Sequence, residues 1–95
     1  MNRDEAVNII RNELLKFRQK TYAELGRLVG TRMPTIVMTG ASGTKYQVAI
    51  QVHWDGDRDG NIRVLGLIDD GGWRAFVPLS QCFIIGLDNT VWATW

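Results

Sequence analysis

The sequence is poor in the residues on which assignments of function usually depend. It contains one cysteine and one histidine in 95 residues. A single cysteine excludes an internal disulfide. Cys82 stands at the start of the apolar run CFII, where a buried thiol acting as a small hydrophobic side chain is expected.

Long hydrophobic runs are also missing. No stretch of about 18 apolar residues exists to span a membrane, and the first 15 residues are interrupted by charges every few positions. The sequence therefore predicts neither a signal peptide nor a membrane partner. We expect an intracellular, cytoplasmic protein on these grounds.

A dense stripe of one charge sign is the third absence. Residues 1–32 carry seven Lys and Arg against four Asp and Glu, a net charge of +3, whereas residues 33–95 carry four against six, a net charge of −2. The cations of the first part are spaced among glutamates, as on a solvated helix face. This pattern predicts no nucleic-acid partner.

What is present is the composition of one ordinary globular domain, which we assign to residues 1–95. The chain is 45% hydrophobic and 22% charged. Apolar residues recur at helical spacing over 3–19, after a capping-box-like start at Asn2 and Glu5. A second start at Thr21 and Glu24 opens a short helical segment, which Gly30 ends.

After Pro34 the apolar period changes from 3.6 to 2 residues. The pattern predicts a short strand over TIVMT, a turn at GASG, and a long strand over KYQVAIQVHW that alternates strictly. A following strand over 61–69 pairs with the long strand in one favoured register, in which Trp54 lies opposite Ile62 and Val52 opposite Val64. That register leaves 56–60 as the hairpin loop.

The dipeptide Asp70-Gly71 indicates a two-residue hairpin turn, which would pair the 61–69 strand with a strand over 73–79. In that arrangement Ile68 lies opposite Trp73, and Leu65 lies opposite Phe76. Further strands are predicted at about 82–86 and 90–94. Pro78 lacks an amide donor, so its position is expected at an edge or a bulge.

These elements predict an α+β fold: an N-terminal helix, kinked or in two parts, packed on one face of a four- to five-stranded antiparallel meander sheet. The α-β-β-β-β order resembles that of cystatin-like folds. The similarity is one of element order only, since no motif of that fold occurs in the chain.

The sheet face opposite the helix is the predicted working surface. An antiparallel sheet with one wet face should be polar there, but this face combines an apolar cluster with a polar rim, made of Gln51, His53, Arg63, Leu65, Leu67, Arg74 and Phe76. Two interpretations remain open. The C-terminal tail or a loop covers the cluster as a second small core, or the face binds a partner, either a second copy of the chain or another protein.

The alternative function is that of a small-ligand or weak calcium-binding domain, which would use the His53/Arg63 end of the sheet and the Asp55–Asp59 loop. Asp55, Asp57 and Asp59 occupy positions 1, 3 and 5 of a calcium loop, followed by Gly60. Position 12 is Gly66 instead of the bidentate Glu, and strands flank the loop where helices belong. The loop is therefore better explained as a hairpin tip, and neither a metal nor a cofactor is predicted.

A minimal hydrolase built on His53 and Cys82 is the third hypothesis. Ser80 and Cys82 follow the predicted 73–79 strand near the same end of the sheet as His53. No oxyanion-hole glycine stretch accompanies them, and Asp55 is the one nearby carboxylate. The sequence thus favours a domain without enzymatic activity and assigns no catalytic residue.

Overall fold

The computed structural model describes residues 2–71 and 78–93. Two helices are followed by five strands, in the order α1 (Arg3–Arg18), α2 (Tyr22–Leu28), β1 (Ile36–Thr39), β2 (Lys45–Trp54), β3 (Ile62–Asp69), β4 (Leu79–Ile85) and β5 (Val91–Ala93). The strands form one antiparallel sheet in sequential order. The predicted α+β fold, with its two-part helix and meander sheet, is confirmed.

The start of α1 differs in one respect from the expected capping box. The Asn2 side chain accepts a hydrogen bond from the Glu5 amide at 3.1 Å, as predicted. The Glu5 carboxylate, however, is bonded to Ser42 and Tyr46 instead of turning back to the Asn2 amide. A tertiary contact has therefore replaced half of a local motif.

Helix α2 begins with the complete version of the same motif. The Thr21 hydroxyl accepts from the Glu24 amide, and the Glu24 carboxylate accepts from the Thr21 amide. At the other end Gly30 takes a positive φ of 78°, and Thr31 donates its amide and its hydroxyl to the Leu28 carbonyl. Both ends of this seven-residue helix follow the sequence signals.

The register of β2 and β3 is the predicted one. Trp54 lies opposite Ile62, Val52 opposite Val64, and the Asp55 amide donates to the Asn61 carbonyl at 2.7 Å. Alternation decides this register because a slip of one residue would move each apolar side chain to the opposite face.

The prediction that β3 pairs with a strand over 73–79 is wrong. β3 pairs with Leu79–Ile85, so that Ile68 lies opposite Leu79, Val64 opposite Phe83 and Ile62 opposite Ile85. The predicted pairing with 73–79 assumed that Asp70-Gly71 formed the whole connection, and residues 73–77 of that strand lie outside the described residues. Phe83 and Ile85 are at most 2% exposed, and their burial outweighs the local preference of a two-residue turn.

The core lies between the helices and one face of the sheet. It contains Ala6, Ile10 and Leu14 of α1, Leu25 of α2, and inward side chains of β2, β3 and β4. Among the described residues no helix is long and apolar enough to cross a membrane.

Candidate functional site

Both helices contact the sheet from the core side, and the opposite side is the outer face. Side chains alternate across a strand, so the register assigns every second residue to this face. The outer face comprises Val37 and Thr39 of β1, Lys45, Gln47, Ala49, Gln51 and His53 of β2, Arg63, Leu65, Leu67 and Asp69 of β3, Ser80, Cys82 and Ile84 of β4, and Trp92 of β5.

Five of the seven predicted surface residues are brought together on this face. Gln51 lies opposite Leu65, His53 opposite Arg63, and Leu67 opposite Ala49. The other two, Arg74 and Phe76, lie outside the described residues. Their predicted places beside Leu67 and Leu65 are held by Ser80 and Cys82.

The sequence interpretation missed the apolar part of the face that β4 and β5 supply. Ile84 lies opposite Trp92 on the outer side, and Trp92 is 53% exposed. Alternation within LSQCFII carried this signal, because Phe83 and Ile85 face inward and therefore turn Cys82 and Ile84 outward. The turn predicted at 70–71 placed a further strand between β3 and the segment that contains Cys82 and Ile84.

Polar side chains lie at one end of the outer face. Arg63 donates from Nη2 to Asp55 Oδ1 at 2.7 Å, and His53 Nε2 lies 3.0 Å from Gln51 Oε1. The Arg63 side chain is 47% exposed, so this ion pair contributes at most about 1 kcal/mol. The ion pair therefore holds the Arg63 side chain in place at the rim of the face and adds little to the stability of the fold.

The aspartates of the 55–59 loop are separated by that ion pair. Asp55 binds Arg63, whereas Asp57 and Asp59 are exposed at the tip, where the Gly60 amide donates to the Asp57 carbonyl at 3.1 Å. Within residues 2–71 and 78–93, no three acidic, histidine or cysteine side chains are grouped to hold a metal ion.

His53 and Cys82 do not lie close enough to act as a nucleophile and its base. His53 lies opposite Arg63, while Cys82 lies opposite Leu65 and thus lines up with Gln51. Two strand spacings and a two-residue offset separate their Cα atoms by about 12 Å. A base must be within hydrogen-bond reach of its nucleophile, so the pairing offers no support for the hydrolase hypothesis.

A cleft of about 510 Å³ lies on the helix side of the 55–59 loop, between the loop and α2. Tyr22 connects α2 to the neighbouring loops. Its hydroxyl donates to the Gly60 carbonyl at 2.7 Å, and its amide donates to Asn89 Oδ1 at 2.9 Å. Arg27, Arg58 and Trp54 line the cleft, and Asp59 supplies the single carboxylate among its described lining residues.

A second polar cluster, which the sequence did not indicate, joins α1 to the turn between β1 and β2. The Glu5 carboxylate accepts from the Ser42 hydroxyl at 2.6 Å, the Ser42 amide at 3.0 Å and the buried Tyr46 hydroxyl at 2.8 Å. These bonds, the Ser42 hydroxyl first, hold the pKa of Glu5 below its ordinary value of 4.5. Burial, and then the bond to Glu5, raises the pKa of Tyr46.

The chain was compared with protein families, curated proteins and solved structures, and no match was found in any of the three. The likeness to cystatin-like folds therefore remains one of element order alone.

Proposed function

We propose that this protein is an interaction module that forms a homodimer through the outer face of its sheet. The observation that carries the proposal is the composition of that face. Leu65 and Leu67 form an apolar centre on the side of the sheet opposite both helices, and Ile84 and the exposed ring of Trp92 add apolar surface in the row of Arg63. Contiguous apolar patches on a sheet usually mark an interaction surface.

The face is large enough to form much of a dimer interface. The five strands have 4, 10, 8, 7 and 3 residues, and each residue covers about 4.8 by 3.4 Å of the sheet. The resulting area, roughly 500 Å² before side-chain relief is counted, is about two thirds of the roughly 800 Å² per partner of a standard interface. Two such sheets would pack about 10 Å apart.

The charges of the face are compatible with self-association. Arg63 is neutralised by Asp55 at one end, and Lys45 and Asp69 stand near each other at the opposite end. Charged groups thus occupy the rim and leave the centre apolar, which is the anatomy of an interface.

Leu67→Asp tests the proposal. A carboxylate in the centre of the buried patch should shift the dimer to monomer, as measured by sedimentation and light scattering, because burying an unpaired charge is costly. Leu87→Asp is the matched control, since Leu87 is 67% exposed in the turn before β5. A wild-type protein that stays monomeric at high concentration overturns the proposal, and so does a Leu67→Asp variant that remains folded and dimeric.

A small-ligand function is the second candidate, and the cleft beside α2 favours it. Two guanidinium groups against one carboxylate, next to an indole ring, suit a small anion that carries a flat ring. Adenosine monophosphate, with adenosine as the uncharged control, should shift the Trp54 indole resonance in wild type. Arg27→Gln/Arg58→Gln should lose this response and Arg3→Gln/Arg32→Gln should keep it. Equal responses to both ligands would rule out the anion site.

A further inference from the structure

The edge of β2 is only partly covered by β1. The strands pair from Ile36 opposite Val48 to Thr39 opposite Lys45, so among the described residues the part of β2 beyond Val48 has no partner strand on that side. Extending the same register would place Pro34 opposite Ile50 and Arg32 opposite Val52.

The hydrogen-bond phase of β2 shows which backbone groups face this open side. The Gly40 amide donates to the Thr44 carbonyl at 2.8 Å across the β1–β2 turn, and the Asp55 amide donates to the Asn61 carbonyl across the β2–β3 loop. Hydrogen-bonded pairs alternate along an antiparallel ladder. Both hydrogen bonds show that the even-numbered residues of β2 direct their backbone groups to the β1 side. The amides and carbonyls of Ile50 and Val52 therefore point to the open edge.

Pro34 explains why the chain does not cover this edge itself. A residue opposite Ile50 would have to donate its amide to the Ile50 carbonyl, and proline has no amide hydrogen. The preceding segment is held elsewhere, because Thr31 is bonded to the Leu28 carbonyl at the end of α2. Among the described residues no backbone hydrogen bond joins 30–35 to Ile50 or Val52.

The open edge forms one wall of a groove of about 360 Å³, whose other wall is the diverging segment 30–35. Within the part of the chain that the structure describes, the residues that line the groove include Arg32 and His53 but no aspartate or glutamate. Its backbone groups therefore suit an added strand, and its charge suits an acidic one.

We propose that the open edge of β2 at Ile50 and Val52 binds an extended acidic peptide segment of a partner protein as an added strand in line with β1. This site lies at the sheet edge and does not depend on the dimer interface. Main-chain hydrogen bonds would supply the affinity, and Arg32 would select for acidic side chains.

Amide hydrogen exchange of the protein alone is the first test. Ile50 and Val52 should exchange much faster than Ala49 and Gln51, which bond to β3, although all four share one strand. Slow exchange of Ile50 and Val52 in dilute protein means that the chain covers its own edge and overturns the proposal. In the Leu67→Asp variant, which should not dimerise through the outer face, protection that grows with protein concentration identifies a second copy as the occupant of the edge and overturns the proposal as well.

Peptide binding is the second test, with the acetylated and amidated peptide Glu-Val-Thr-Val-Glu as the probe. It should slow the exchange of Ile50 and Val52, whereas Glu-Pro-Thr-Pro-Glu, which lacks two amide donors, should not. Lys-Val-Thr-Val-Lys should bind about five- to tenfold more weakly, as expected for lost attraction of about 1 kcal/mol. Absence of binding by the acidic peptide, or equal binding by all three, contradicts the proposal.

Three variants separate the groove from other surfaces. Arg32→Glu should weaken binding of the acidic peptide, while Arg3→Glu, the matched change on α1, should not. Pro34→Val restores the missing amide, so the chain should close its own edge, protect Ile50 and exclude the peptide. Leu67→Asp should leave peptide binding unchanged, and a loss there would place the peptide on the outer face instead.

Discussion

Glu5 joins two parts of the molecule that are 37 residues apart in sequence. Three donors from Ser42 and Tyr46 converge on one carboxylate, and all of them favour its ionised form. A group whose pKa is lower in the folded state stabilises the fold above its unfolded pKa. That contribution disappears as pH falls through the folded pKa.

The pH dependence of unfolding should therefore reveal Glu5. In urea titrations, wild type should lose stability as pH falls from about 5, and Glu5→Gln should lose less over that range because it has no proton to take up. Ser42→Ala should also flatten the profile, since it removes the first donor. A Glu5→Gln variant with the slope of wild type would contradict the assignment of this carboxylate.

Replacing Gly66 and Gly26 with alanine should change the unfolding free energy in opposite directions. A Cβ on Gly66 would lie 2.7 Å from Ile10 Cδ1 and Cγ1, so the Ile10 side chain or α1 itself would have to shift. We expect Gly66→Ala to cost about 1–3 kcal/mol of unfolding free energy, as overpacking does. Gly66 faces α1 because the observed register turns this side of β3 inward.

Gly26→Ala is the contrasting case. Among the described residues outside its own helix, its Cβ would meet only Ile62 Cδ1 at 3.8 Å, an ordinary contact, and the residue lies inside α2. Alanine should stabilise the protein by up to about 1 kcal/mol through helix propensity. Urea midpoints that move in the same direction for both variants would show that the packing of α1 on β3 is not as described.

Helix α2 depends on its ends because seven residues are too few for a helix to be stable in isolation. Its complete capping box and the Tyr22 bonds to Gly60 and Asn89 hold it over the loop end of the sheet. The element therefore shapes the cleft and also positions the segment that leaves the β2 edge open.

Thr21→Ala should lower the unfolding free energy by about 1 kcal/mol through loss of the cap. Thr21→Ser keeps a hydroxyl and should lie close to wild type. Fluorescence and circular dichroism should report the same transition if α2 unfolds with the domain. An earlier loss of helical signal alone would show that α2 detaches first.

A dimer formed through the outer face would link the stability of the whole molecule to its concentration. Ligands that bind only the folded state raise apparent stability by mass action, and a second copy acts as such a ligand. The melting temperature of wild type should therefore rise over about a hundredfold range of protein concentration. Leu67→Asp should melt at a temperature independent of concentration, and Leu87→Asp should behave like wild type.

The sequence by itself determined the elements whose causes are local or periodic. Capping residues and helical spacing set α1 and α2, and strict alternation set β2, β3 and their register, because a one-residue slip would expose every buried side chain. Five residues of the outer face followed directly from that register.

Only the tertiary structure decided the partner of β3, because two segments after Gly71 alternate and each could supply an apolar inner face. Burial of Phe83 and Ile85 selected the later one, against a turn preference that acts over two residues. The Glu5 contacts and the open edge of β2 were likewise decided by distant parts of the chain. Neither feature could be predicted from the periodicity of the sequence. Glu5 bonds to a residue 37 positions away, and the edge at Ile50 stays open because Pro34 has no amide hydrogen to donate.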